Sequence, residues 1–159
     1  MKSPSIAVIG AGAWGTALAC CCAGVAAEVL LWMRTPVAEG VRILPRLPDV
    51  TLPDNIHITG AMPANVDIAL IVVPTQTLRN VSTRLEAALA TGIPVIVCCK
   101  GLESKTSLLP LEILAQTMPG RPTAVLSGPN FAIEVAHGLP AAATLAARDL
   151  ELARTLAAK

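Results

Sequence analysis

The sequence predicts an α/β fold, a doubly wound, mostly parallel sheet with helices on both faces, and three observations lead there. Short apolar, β-branched runs recur along the chain, each near-continuous, as strands buried on both faces must be. Longer segments of helical period separate them, the alternation expected of βαβ units. With 159 residues, 53% of them hydrophobic, the chain can fill one core but not two of ordinary size.

The strands expected, in order, are Ser5 to Ile9, Val29 to Met33, Ile68 to Val73, Val95 to Cys99, Thr123 to Leu126 and Ala141 to Leu145. Helices are expected over Trp14 to Ala23, Gln76 to Ala90, Ser107 to Thr117 and Phe131 to Ala136. Asp149 is expected to cap a last helix, because its carboxylate can accept from the unpaired N–H groups of a first turn. Between Arg34 and Asn55 helical period disappears and Pro36, Pro45, Pro48 and Pro53 accumulate, so a loop or broken helix is expected there. No repeat, low-complexity tail or linker marks a second domain. The last helical pattern reaches Lys159 without a capping signal, so residues 1–159 are expected to form one domain that is incomplete at its C-terminal end.

Composition excludes several classes of function. A net charge of +1 and a charged fraction of 14% provide no basic field for nucleic acid or an acidic membrane surface. Aromatics at 2% provide no stacking platform for single strands. Cys20, Cys21, Cys22, Cys98 and Cys99 lack both CxxC spacing and the spread of a disulfide framework. They are expected to be reduced, buried small hydrophobes in a cytoplasmic protein, and no metal site is expected. Ile6 to Ala27 is uncharged, as a signal peptide or membrane span would be, but Gly10, Gly12 and Gly15 interrupt it and Ile6 to Ile9 has strand propensity.

Gly10-Ala11-Gly12-Ala13-Trp14-Gly15 is a GxGxxG run that directly follows the first strand and opens the first helix. The first glycine suits a tight turn, the second lets the backbone approach a pyrophosphate, and the third lets helix and strand pack closely. Free N–H groups and the positive dipole end at Ala13, Trp14 and Gly15 favour the phosphates of a dinucleotide, so the sheet is read as Rossmann-type. No Gly-Lys-Ser/Thr follows that would make this an ATP-binding loop. The second strand ends at Met33 and Arg34, where an acidic residue would favour NAD. A guanidinium can instead pair with a 2′-phosphate, so the expected cofactor is NADP, with NADPH preferred over NADH, and NAD is the alternative.

Ligands of an open parallel sheet bind beyond the carboxyl ends of its strands, which directs attention to three segments. These are Val73-Pro74-Thr75-Gln76, Cys99-Lys100-Gly101-Leu102-Glu103 and Ser127-Gly128-Pro129-Asn130-Phe131-Ala132. The Lys100 ammonium can attract a phosphate, Gly101 leaves room for a ligand, and Glu103 is a candidate ion-pair partner for Lys100. Asn130 is either a helix cap or a hydroxyl ligand. His57 and His137 show no partner at a suggestive spacing and are read as surface residues.

Together Ile9-Gly10-Ala11-Gly12-Ala13-Trp14-Gly15-Thr16-Ala17-Leu18-Ala19, Leu52-Pro53-Asp54-Asn55-Ile56, Cys99-Lys100-Gly101-Leu102-Glu103 and Leu126-Ser127-Gly128-Pro129-Asn130-Phe131-Ala132 give the chain its family likeness. In order and spacing it resembles the N-terminal domain of bacterial-type NAD(P)-dependent glycerol-3-phosphate dehydrogenase. The resemblance implies interconversion of dihydroxyacetone phosphate and sn-glycerol 3-phosphate by hydride transfer, supplying glycerophospholipid synthesis. It implies that Trp14, Arg34 and Ala132 join Gly10, Gly12, Ala13 and Gly15 around the dinucleotide. It also implies that Gly128 and Asn130 contact the substrate, with Lys100 against both ligands. The proton-transferring lysine would belong to a helical substrate domain beyond Lys159, so no catalytic residue is expected within these residues and the piece alone is expected to be inactive. A homodimer is expected at full length. Ala13 and Asn130 stand where the family usually has serine or another hydroxyl residue, and Arg34 to Asn55 looks shortened. Two alternatives are another two-domain NADP dehydrogenase, of 3-hydroxy acid or ketopantoate type, and a non-catalytic NAD(P)-binding module.

Overall fold

The computed structural model describes residues 3–158; Met1, Lys2 and Lys159, the position at which the last helical pattern was expected to run on, lie outside the described residues. In chain order the elements are β1 (Ser5–Ile9), α1 (Ala13–Ala23), β2 (Glu28–Trp32), β3 (Ile43–Leu44), β4 (Leu47–Thr51), β5 (Ile56–Thr59), β6 (Ile68–Ile71), α2 (Thr75–Ala88), β7 (Val95–Val97), α3 (Pro110–Thr117), β8 (Thr123–Ser127), α4 (Ala132–Ala136), β9 (Thr144–Ala147) and α5 (Leu150–Ala157).

The main sheet runs β5-β2-β1-β6-β7-β8-β9, and β3 and β4 form a separate antiparallel pair. Every neighbouring pair is parallel except β8 with β9. The order reverses at β1, whose neighbours are β2 on one side and β6 on the other, and this switch point opens the crevice in which α/β sheets bind ligands. All of β6 and β7 is buried, which is why these segments read as unbroken apolar runs. Alternate residues of the strands face two cores: Val8, Leu31, Leu70 and Ile96 join Leu18 of α1 and Leu156 of α5 on one face. Ile9, Ile71 and Val97 join Leu78 and Leu85 of α2 and Ile113 of α3 on the other. Helices therefore cover both faces, the doubly wound arrangement that the alternation predicts.

Several local expectations change. The segment expected to be a loop or broken helix holds the β3–β4 hairpin, whose Leu47 and Val50 pack on Ala17 of α1 beside Ala132 and Val135 of α4. Two apolar side chains three residues apart are enough to seat so short a hairpin, but too few to announce a strand among prolines. Arg42 fixes it, its guanidinium donating to the carbonyls of Leu52, Pro53 and Ile56. β5 was also missed: as an edge strand it alternates buried Ile56 with exposed His57, and its four residues carry little signal. β6 and β7 end two residues early: the Val72 and Cys98 N–H groups still donate to the Ile9 and Ile71 carbonyls, but strand pairing stops there while Val72, Val73, Cys98 and Cys99 remain buried. β9 lies at Thr144–Ala147 rather than Ala141 to Leu145. α3 starts at Pro110 rather than Ser107, since Ser107 sits at φ 59 and proline suits a first helical turn. Asp149 caps α5 as expected, accepting from the N–H groups of Glu151 and Leu152.

The cysteines are free, but only Cys98 and Cys99 are buried; Cys20 and Cys22 are half-buried and Cys21 is exposed on α1. His57 and His137 are on the surface, and His57 Nε2 lies 3.8 Å from Glu28 across the β2–β5 pair. Among the described residues no helix is long and apolar enough to cross a membrane, and no group of three or more histidine, cysteine or acidic side chains could hold a metal.

Candidate functional site

The site starts at the corner between β1 and α1. Gly10 turns at φ 122, where a Cβ would stand 2.6 Å from the Val72 carbonyl oxygen, and a Cβ on Gly15 would stand 1.7 Å from the Gly10 carbonyl oxygen. Glycine is therefore required at both positions by the packing of α1 against the strand ends. Gly12 differs. Its φ is −72, open to any residue, and a Cβ there would meet nothing within 4 Å. No steric demand calls for glycine at this position, and the missing side chain leaves its backbone open to the cleft described next. The first helical bond of α1 runs from the Thr16 N–H to the Gly12 carbonyl, and no side chain caps the N-terminus. The amides of Ala13, Trp14 and Gly15 thus face outward with the positive end of the helix dipole and no acidic residue nearby in the first turn.

These amides open into a cleft of about 360 Å³ whose wall includes Gly12, Ala13, Trp14 and Gly15 from the corner, Lys100 from the end of β7, and Asn130 and Ala132 from the β8–α4 connection. Three successive strand ends thereby meet in one crevice. Its floor is Pro74 with Val72, Val73, Cys98 and Cys99, the last four of which sequence reasoning took for strand. Burial pushes the Cys99 thiol up to about 11 and raises that of Cys98 further, so neither is a nucleophile. A larger hollow of about 620 Å³ lies between α3 and α5, but it borders Pro119 to Thr123, at the amino end of β8 and away from the ligand-binding edge of such sheets.

Lys100 is exposed, and its ammonium is held at both sides of the cleft: Nζ donates to the Gly128 carbonyl at 3.1 Å and lies 5.8 Å from the Trp14 ring centroid. Asn130 does not cap α4, whose N-cap is Phe131; its Nδ2 donates to the Ala142 carbonyl at 2.8 Å and pins the β8–β9 connection beneath the cleft. Gly128 is needed there, since a Cβ would come within 2.5 Å of the Ala142 oxygen. Gly10, Gly12, Ala13, Trp14, Gly15, Lys100, Gly128, Asn130 and Ala132 are therefore brought together. Arg34 is not: it stands exposed just past β2, outside the cleft.

Glu103 does not pair with Lys100. It is 8% exposed and accepts a two-pronged bond from Arg79 of α2, Nε at 3.0 Å and Nη2 at 2.8 Å, with a third from the Thr106 hydroxyl. The Arg79 guanidinium, with the Thr106 hydroxyl, holds its carboxyl well below the usual range, at about 2. Sequence reasoning missed Arg79 because the bond spans 24 residues.

The family model described as NAD-dependent glycerol-3-phosphate dehydrogenase N-terminus matches residues 5–153. The chain belongs to the NAD-dependent glycerol-3-phosphate dehydrogenase family. It is 66% identical over 155 residues to a glycerol-3-phosphate dehydrogenase [NAD(P)+] of Gluconobacter oxydans, a match covering 98% of this chain and 48% of that protein. The crystal structure of glycerol-3-phosphate dehydrogenase from Coxiella burnetii superposes with a TM-score of 0.83 at 35% identity, over 97% of this chain and 50% of that one. The Saccharomyces cerevisiae enzyme gives 0.78 at 28% identity, over 93% and 48%. The chain thus spans about half the length of the family relatives it matches.

Two outcomes follow from the local chemistry. Gly15→Ala is expected to destabilise the protein by roughly 1–3 kcal/mol or more, while Gly12→Ala changes stability by less than about 1 kcal/mol, as urea denaturation of the two variants would measure. Glu103, depressed in the folded state, stabilises fully above its unfolded pKa, and that stabilisation is lost as pH falls from about 4.5 toward about 2. Glu103→Gln is expected to remove this acid-dependent part when stability is followed across that range.

Proposed function

We propose that this chain is the dinucleotide-binding part of an NAD(P)-dependent sn-glycerol-3-phosphate dehydrogenase. The observation that carries the proposal is the convergence of the Gly12 corner, Lys100 and Asn130 on one cleft at the sheet's switch point, in a chain so similar to named dehydrogenases of this kind. The corner fits a dinucleotide: Gly12 carries no side chain where the fold would accept one, and three outward amides wait at the α1 N-terminus. In this reading Gly12, Ala13, Trp14 and Gly15 hold the pyrophosphate, with Ala132 on the opposite wall and Gly10 shaping the turn.

A bound nicotinamide would supply the hydride for the carbonyl carbon of dihydroxyacetone phosphate. The residues of this chain would then orient and polarise. Lys100, fixed by Trp14 and Gly128, sets a positive charge where a substrate oxygen or phosphate would sit, and strengthens as water is excluded. Asn130 donates one amide N–H to the Ala142 carbonyl, which fixes the side chain and leaves its second N–H and its carbonyl oxygen for a substrate hydroxyl. Proton transfer falls to a lysine of a helical substrate domain lying outside these 159 residues. We further propose a preference for NADPH over NADH, supported by the exposed Arg34 guanidinium at the carboxyl end of β2. Two copies of the full-length protein would form the working dimer.

Initial rates with the full-length protein test the reading. Dihydroxyacetone phosphate is expected to drive NADPH oxidation, faster than NADH at equal subsaturating concentrations. Turnover of a 3-hydroxy acid or ketopantoate with none of dihydroxyacetone phosphate would overturn it.

A further inference from the structure

Lys100 follows β7 by three residues, stands exposed, and belongs to no helix or strand. A lysine in such a place is a point charge on a flexible four-carbon stem, and its value to a site depends on how firmly its backbone is held. Here that backbone is tied to a single helix. The Thr75 hydroxyl donates to the Lys100 carbonyl at 2.8 Å. The Gln76 amide clasps the chain beyond it, Nε2 donating to the Leu102 carbonyl at 2.8 Å and Oε1 accepting from the Ser104 N–H at 2.9 Å. One turn further along α2, Arg79 holds Glu103. Between the first tie and the second, Gly101 turns at φ 94 with no atom within 4 Å of a Cβ position, so only the backbone angle calls for glycine.

We infer that Thr75, Gln76 and Arg79 are positioning residues for Lys100, a brace through which α2 sets the ammonium against Trp14 and Gly128; the inference rests on the function proposed above. Burying an ion pair is a poor way to stabilise a loop, since an apolar pair of similar volume would serve as well, but it fixes one arrangement among several. The Arg79–Glu103 pair is buried on the carboxylate side, with side-chain exposures of 37% and 10%. All three braces lie in the first two turns of one helix whose Leu78, Val81 and Leu85 are anchored in the core, so the loop inherits the rigidity of that core.

Gln76 is exposed, so Gln76→Leu removes the clasp without emptying the core. In the full-length protein this variant is expected to lower kcat/KM for dihydroxyacetone phosphate by roughly 10- to 100-fold, the scale of a misplaced charged group. The same change in a Lys100→Met background is expected to cost nothing more. Equal losses in both backgrounds would mean that Gln76 acts independently of Lys100, and the brace would be wrong. A second reading needs no turnover. The chain has two tryptophans, so Trp32→Phe leaves Trp14 as the sole emitter in these residues, and Trp14 emission reports the ammonium beside it. Studied in the 159-residue chain, Gln76→Leu is expected to move that emission toward the value of Lys100→Met. Unchanged emission would overturn the brace whatever the kinetics, while a shift here together with a full-length protein that reduces no dihydroxyacetone phosphate would uphold the brace and sink only the proposed function.

Discussion

At the heart of the molecule is the contact between the Gly15 Cα and the Gly10 carbonyl, which a single methyl group would abolish. This contact lets α1 start directly against the end of β1 and against Val72, which follows β6, at the switch point of the sheet. Because α1 packs close, its first amides reach the crevice instead of being hidden behind their own side chains. Because β6 and β7 stop two residues before their apolar runs do, Val72, Val73, Cys98 and Cys99 form an apolar floor under those amides. A low-dielectric floor beneath unpaired N–H groups is an environment in which an anion gains more than it would at an open helix end.

The rest of the site is arranged around that corner by elements that take no part in it. The β3–β4 hairpin packs Leu47 and Val50 against α1 and α4, and so keeps the wall carrying Ala132 next to the wall carrying Trp14. α2 holds the loop after β7 through a buried ion pair and an amide clasp. The β8–β9 connection is closed by Asn130 and tolerates only glycine at 128. Each support meets the cleft from a different side, which gives Lys100 two fixed neighbours despite its exposure.

Much of this was legible in the sequence, for reasons that also explain what was not. The buried parallel strands announced themselves because residues covered on both faces have no polar alternation to dilute the signal, as with Ile68–Ile71. The glycine corner was legible because the positive φ of Gly10 and the Gly15–Gly10 contact fall within one six-residue segment. Val72, Val73, Cys98 and Cys99 were misread as strand because burial beneath a cleft and burial in a ladder select the same residue types. The hairpin and β5 were invisible because two- to five-residue edge elements bury only one or two side chains apiece. Glu103 was assigned to Lys100, three residues away in the same segment, whereas its partner comes from the preceding helix. The cap reading of Asn130, one of the two its sequence position offers, came from its place beside a helix, yet Phe131 occupies the cap and the asparagine serves a strand connection twelve residues away.

The central claim, that the free amides of the α1 N-terminus receive linked phosphates, is tested most directly by a crystal structure of the full-length protein with NADPH. The account predicts pyrophosphate oxygens about 3 Å from the N–H groups of Ala13, Trp14 and Gly15, with the backbone of Gly12 in contact. A dinucleotide whose phosphates lie elsewhere, with these amides bound only to water, would contradict it.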